Sequence, residues 1–183
     1  MPATPRETDV VEHELTVDAR PETVFGYFTD PARMVQWMGA EATLDPRPGG
    51  VCRIAFEPTR AGADLLDAFF AAGQEGAVRP SDPYGPRVML GRFVEVDPHQ
   101  RIAFTWGWEG ELYAMPPQST AVEVSFTADG ERTIVRLVHR RVPPPAAPIH
   151  SAGWDHYLPR LALAATGGDP GPDPWQAPDA GAA

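Results

Sequence analysis

A chain of 183 residues is long enough for one domain with a substantial core, and at 43% apolar and 22% charged it is neither disordered nor fibrous. A formal net charge of -10 disfavours phosphate backbones and anionic bilayers, so nucleic acid and membrane are not expected partners. All fifteen basic residues are arginine, and the absence of lysine and asparagine removes lysine Schiff-base chemistry and N-glycosylation. Cys52 is the single cysteine, so no internal disulfide forms. With no signal-peptide pattern in residues 1–9 and no apolar run of membrane-spanning length, the expectation is a cytoplasmic protein.

Residues 1–9 are polar, carry two prolines and read as a flexible leader. Val11, His13, Leu15 and Val17 then alternate with Glu12, Glu14 and Thr16, the period of a half-buried strand. Pro21 opens a short helix with Val24, Phe25 and Phe28 on one face, and Asp30-Pro31 starts a second that carries Met34, Trp37 and Met38. Two helices straight after a first strand suggest a connection to the far side of a sheet. A brief strand is expected over 41–45, followed by the turn Pro46-Arg47-Pro48-Gly49-Gly50. Strands at 51–57, 87–97, 101–108, 119–126 and 132–140 follow, and Asp129-Gly130 is a hairpin turn. Short turns between successive strands predict an antiparallel meander.

Residues 58–86 interrupt that pattern as an inserted loop, whose apolar run at 65–70 predicts a short helix. Pro143-Pro144-Pro145 predicts a stiff extended segment. Residues 150–167 read as a long helix, with Trp154, Tyr157, Leu158, Leu161 and Ala165 on its apolar face. Pro159 lies inside it and removes one helical hydrogen bond, which can kink it. The Pro-, Gly- and Ala-rich residues 169–183 read as a disordered tail, leaving 10–168 as the folded domain.

This order resembles the START-like superfamily (Bet v 1-like, SRPBCC), and four local patterns resemble its branch related to the activator of Hsp90 ATPase. They are Ala19-Arg20-Pro21-Glu22-Thr23-Val24-Phe25 with Thr29-Asp30-Pro31 and Trp37, then Asp45-Pro46-Arg47-Pro48-Gly49-Gly50. Next come Gly91 to Pro98 with Arg101 to Trp106, and Thr133 to His139 with Gly153-Trp154 and Leu158. The resemblance spans roughly 10–166. It implies an α+β helix-grip fold, a curved antiparallel sheet wrapped around a long C-terminal helix with two short helices after the first strand. Relatives include co-chaperones, lipid carriers and polyketide cyclases.

In such a fold the inward strand faces line a cavity for a small apolar or aromatic molecule. Strand alternation assigns His13, Phe56, Phe93, Phe104, Trp106 and His139 to that wall, and Trp37, Trp154 and Tyr157 close it from the helices. These nine are the expected ligand-binding residues, with His139 and His13 as the polar contacts. The five histidines form no dense ligand motif, since His150 and His156 are six apart and off one helical face, so no metal and no cofactor are expected. Cys52 lacks a paired base and reads as a buried hydrophobe. Two other functions stay open. A cyclase- or dehydratase-like enzyme would use His139, His13 and Tyr157. An interaction domain would present the 58–86 insert to a chaperone or regulator.

Overall fold

The computed structural model describes residues 8–71, 82 and 85–176. In chain order the elements are β1 (Asp9–Val17), α1 (Pro21–Thr29), α2 (Pro31–Met34), β2 (Glu41–Leu44), β3 (Val51–Phe56) and α3 (Arg60–Ala71). Then come β4 (Arg87–Asp97), β5 (Arg101–Trp106), β6 (Thr120–Asp129), β7 (Arg132–Val142) and α4 (Ala147–Ala165). The strands form one seven-stranded sheet in the order β1-β7-β6-β5-β4-β3-β2, with every neighbouring pair antiparallel. β2 to β7 are a meander, while β1 and β2 occupy opposite edges. The two short helices therefore carry the chain across the sheet, as their position after β1 predicts.

Local chemistry explains these connections. Pro21 and Pro31 sit in the first turns of α1 and α2, where the missing N–H costs nothing. The Asp30 carboxylate caps α2 by accepting from the Ala32 and Arg33 N–H groups at 2.8 and 3.3 Å. α2 ends at Met34, shorter than expected, and Trp37 and Met38 lie in the turn that follows, still buried. The β6–β7 hairpin turns at Gly130, whose φ of 64° suits glycine. β4 passes so close to β5 at Gly91 that a Cβ there would collide with the Thr105 carbonyl oxygen.

Register confirms the alternation read from the sequence. Val11, His139, Val122, Phe104 and Phe93 make one transverse row across five strands, and His13, Leu137, Val124 and Ile102 make the next. All of these are buried except His13, which is half-buried at the β1 edge. The opposite face carries exposed pairs such as Glu12–Arg136 and Glu123–Arg140, both at 3.0 Å. Such pairs solvate a face more than they stabilise it.

α4 packs its predicted stripe, Trp154, Tyr157, Leu158, Leu161 and Ala165, into the core. It begins at Ala147, earlier than expected, because residues 144–146 wind into a 3-10 turn rather than extend. Proline tolerates a first turn, which explains the difference. Pro159 does not end the helix. It and Asp155, whose carbonyl it leaves without a helical donor, are both exposed, so water can satisfy that carbonyl.

At the chain's irregular segments one expectation changes and one is met. Residues 169–176, expected within a disordered tail, run back over the domain, and Gln176 pairs with Pro58. Trp175, stacked on His156, and Asp173, which meets the same ring, give this Pro-rich strap an anchor that composition does not reveal. The predicted helix of the 58–86 insert is α3, with Ala63 buried and Phe70 packed on the core edge. The side chains of Leu65, Leu66 and Phe69, and residues 1–7, 72–81, 83–84 and 177–183, lie outside the described residues.

Candidate functional site

A half-enclosed cavity of about 100 Å³ lies where the ends of β3 and β5 meet the first turns of α4. β3 contributes Phe56, and β5 with the residues after it contributes Trp106 and Trp108. α4 supplies Ile149, His150, Gly153, Trp154 and Tyr157, which return to one face at helical spacing. Met38 closes the floor, Tyr113 comes from the loop between β5 and β6, and Arg87 stands at the start of β4. Pro58 and, in the first turn of α3, Gly62, with Trp175 and Gln176 of the strap, complete the mouth. The walls are almost wholly apolar and aromatic.

Of the nine residues expected to bind a ligand, the cavity gathers Phe56, Trp106, Trp154 and Tyr157. The other five lie elsewhere. Phe93 and Phe104 pack edge to face at 5.9 Å inside the core. Trp37 packs edge to face against Phe28 at 5.1 Å and donates its indole N–H to the Tyr27 carbonyl at 3.0 Å. His13 sits at the outer edge of α4, with Nδ1 3.3 Å from Asp155 and Nε2 3.4 Å from the Ser151 hydroxyl. His139 stands behind Trp106 and Trp154, with ring centroids 5.8 and 6.2 Å away.

Two buried imidazoles form the polar heart of this end of the core, and their partners fix their protonation. His139 Nδ1 lies 3.3 Å from Trp154 Nε1, and an indole N–H can only donate, so Nδ1 must accept. The proton therefore sits on Nε2 and is given to the Thr120 hydroxyl at 2.8 Å, which donates onward to the Trp106 carbonyl at 2.8 Å. His150 is arranged the other way round. Its Nε2 accepts from Trp108 Nε1 at 3.1 Å, and its Nδ1–H donates to the Ala146 carbonyl at 2.9 Å. The two rings lie 5.5 Å apart.

Burial disfavours the charged form of both rings. It lowers His150 to about 4, against the smaller opposing effect of the Ala146 carbonyl. Burial, reinforced by the neighbouring His150, also holds His139 well below its ordinary 6.5. Both are neutral imidazoles with every nitrogen engaged, so neither can serve as a base without first breaking an indole hydrogen bond.

Burial holds Cys52, Tyr157 and Tyr113 in their protonated forms. Burial pushes the Cys52 thiol up to about 12, and it behaves as an apolar side chain. Burial raises the Tyr157 hydroxyl, and the Asp173 charge raises it further. Tyr113 is raised by burial against the opposing Arg87 charge. Among the described residues, no three His, Cys, Asp or Glu side chains converge as a metal ion would require.

The strap that edges the mouth is held by specific contacts. Trp175 stacks on His156 with ring centroids 3.7 Å apart. Asp173 Oδ1 meets His156 Nε2 at 2.8 Å and accepts the Trp175 N–H at 2.9 Å. Burial alone would raise the Asp173 carboxyl, but these hydrogen bonds and the nearby His156 and Arg160 outweigh it and hold it below its ordinary value. Gln176 accepts the Glu57 N–H at 2.8 Å and donates to the Tyr157 hydroxyl at 3.2 Å. The Thr59 N–H donates to the Trp175 carbonyl at 3.0 Å.

Trp175→Ala is expected to loosen this strap while costing the whole domain no more than about 1–2 kcal/mol, because one half-exposed stacked ring is lost. Amide hydrogen exchange checks it. Exchange should accelerate at Glu57 and Thr59 but not in β6 or β7. Unchanged protection at Glu57 and Thr59 would mean that the strap is held without Trp175.

Sequence reasoning missed several of these residues. His150 lies one helical turn before Trp154, and that i,i+4 spacing could have placed it on the same wall. Trp108 follows Trp106 at strand spacing and carried the same signal. Tyr113 left none. It sits in an irregular loop with φ of 59°, and Ala114 and Gln118 share that left-handed conformation at 55° and 62°. Trp175 was hidden in a Pro- and Gly-rich context.

The family model described as Activator of Hsp90 ATPase homolog 1-like protein matches residues 18–65 and 66–165. The solution structure of an AHSA1-like protein from Rhizobium etli is 33% identical, with a TM-score of 0.62 over 97% of this chain and 94% of that one. DynU16, from the dynemicin biosynthetic locus, is 20% identical with a TM-score of 0.64 over 91% of this chain, which spans about half (51%) of that protein. CalU16 from Micromonospora echinospora is 19% identical with a TM-score of 0.57, covering 87% and 85% of the two chains. These last two likenesses show the fold alone. No curated protein matches. No helix among the described residues is long and apolar enough to cross a membrane.

Proposed function

The chain belongs to the family of Activator of Hsp90 ATPase homolog 1-like proteins, and from that membership we propose that it binds a small apolar or aromatic molecule in the cavity at the head of α4, as a carrier or sensor. The observation that carries this reading is an open space kept at the centre of an aromatic cluster that otherwise packs closely. A volume of about 100 Å³ is below the roughly 150 Å³ that admits benzene in an engineered cavity, and far below drug-sized pockets of about 300–1,000 Å³. The occupant is therefore a single ring or short branched chain that extends into the mouth. Binding is favoured over proton-transfer catalysis because both nitrogens of His139 and of His150 are already engaged.

Gly153 supports the same reading. Glycine inside a helix costs about 1 kcal/mol relative to alanine. A Cβ at Gly153 would meet nothing within 4 Å, so packing does not demand glycine there. The residue keeps part of the cavity wall open. Gly153→Ala should raise unfolding stability by about 0.5–1 kcal/mol in urea titrations, and Gly153→Leu should fill the space. Melting with single-ring compounds such as toluene or indole tests binding. At a hundredfold excess over Kd, a ligand adds about 2.7 kcal/mol, or about 5–10 °C in Tm for a domain of this size. The shift should appear in the wild type and vanish in Gly153→Leu. No shift from any single-ring compound in the wild type would overturn the reading.

A further inference from the structure

Trp175 and Gln176 edge the mouth of the cavity, and the strap they belong to reaches from α4 to the connection between β3 and α3. On the α4 side, Arg160 donates to the Pro170 and Gly171 carbonyls at 3.2 and 2.9 Å, and His156 carries Trp175 and Asp173. On the opposite side, the Thr59 hydroxyl donates to the Pro174 carbonyl at 2.6 Å, beside the backbone bond from Thr59 to Trp175. Gln176 joins both sides, through the Glu57 N–H and the Tyr157 hydroxyl. A Cβ on Gly62 would stand 3.1 Å from the Trp175 carbonyl oxygen, so the strap rests directly on the first turn of α3.

The strap differs in kind from the walls it joins. None of residues 169–176 is buried, whereas Trp106, Trp108, Trp154 and Tyr157 all are. Among the described residues its attachments are hydrogen bonds and the ring contacts of Trp175 with His156 and Tyr157. These can break without opening the core, and segments held in this way open locally at a small fraction of the global unfolding free energy. The strap leaves α4 through Gly167, whose φ of 80° is a conformation that glycine enters and leaves at little cost. It also lies beyond residues 18–65 and 66–165, which the family model matches.

On the reading that this cavity binds a small ring, we propose that the strap is its gate. A ligand enters and leaves when residues 169–176 lift from His156 and Thr59, and the closed strap sets how long it stays. Opening through the sheet or α4 would instead break the Trp108–His150 and Trp154–His139 bonds and the indole packing around Trp106, at far greater cost. A gate of this kind changes the rates of entry and release together. It leaves affinity nearly unchanged, because the closed form prevails with or without ligand.

Fluorine exchange NMR of the full chain with fluorobenzene measures Kd and the exchange rates together. The direct test is a disulfide made by Pro58→Cys with Gln176→Cys. These two residues face each other in an antiparallel bridge. Opposed residues there have Cα atoms about 4.5–5.5 Å apart, within disulfide reach. Cys52 is buried, with its thiol pushed up to about 12, and stays out of the exchange. Oxidation by glutathione disulfide should slow fluorobenzene release by about tenfold or more, and dithiothreitol should restore it in the same protein. His156→Ala lies outside the cavity wall and removes the ring under Trp175. It should quicken entry and release by about tenfold each, with Kd kept within about threefold. Equal release rates in the oxidised and reduced forms, or wild-type rates in His156→Ala, would overturn the gate and leave the cavity reading standing. A disulfide that fails to form would also overturn the gate, because the strap would then not lie on Pro58. Failure of fluorobenzene to bind the wild type would overturn both.

Discussion

Trp154→Ala is expected to lower unfolding stability by about 3–5 kcal/mol, near the upper end for a single substitution. The indole is almost wholly buried and packs on Trp106 at a centroid distance of 5.3 Å, so it joins α4 to the middle of the sheet. Its loss opens a large void and takes away the donor that His139 Nδ1 accepts. Trp154→Phe separates these effects. It keeps most of the volume and should cost about 1–2 kcal/mol less than the alanine variant. Urea unfolding followed by far-UV circular dichroism measures both without relying on the tryptophan that is removed. A loss below about 1 kcal/mol for Trp154→Ala would mean that α4 is held mainly by Leu158, Leu161 and its other contacts.

Acid should destabilise the protein well before its carboxylates titrate. Unfolded, an imidazole takes its proton near 6.5, whereas burial holds folded His150 at about 4. Above pH 6.5 both states are neutral at this ring and its contribution is fully present. Below 6.5 the unfolded chain binds the proton first, so stability falls with pH until about 4, by roughly 3 kcal/mol. His139 is depressed in the same direction and adds to the loss. The geometry reinforces the sign, because protonating His139 Nδ1 or His150 Nε2 would set an N–H against the indole N–H that now donates to it. Asp173 acts in a lower window. Its depressed carboxyl contributes above its ordinary 3.8 and is lost only as pH falls below it. Urea midpoints at pH 7.5, 6.0, 5.0 and 4.5 should decline steadily, and His150→Gln should flatten the decline. Equal midpoints at pH 7.5 and 5.0 would show that these rings are not held neutral.

The nine expected contact residues divide by what alternation can and cannot report. Period two placed Phe93, Phe104, Trp106 and His139 on the buried face, and the register agrees for each of them. It could not say where along that face the packing leaves space. Phe93 and Phe104 meet each other and fill the sheet's middle, while Trp106, nearer the end of β5, reaches the gap beside α4. His139 shows the same limit in polar terms. A lone histidine on an apolar strand face suggests a ligand contact, but a tryptophan one helix away and a threonine on the adjacent strand use both of its nitrogens.

What the chain determined by itself is the architecture. Alternating strands, proline-opened helices, a hairpin glycine and one long amphipathic helix are local signals, because each depends on backbone geometry within a few residues. They were enough to set the sheet on its helix and to send the first connection across to the far edge. Tertiary structure decided the site. The cavity draws on residues from Met38 to Gln176, and its volume is a small remainder left after large aromatic side chains pack. Such a remainder depends on distances between elements remote in sequence, and so does the pairing of each indole with an imidazole. The same holds for the strap, where Trp175 gives a Pro-rich segment a place to bind only once His156 has been presented by the helix beneath it.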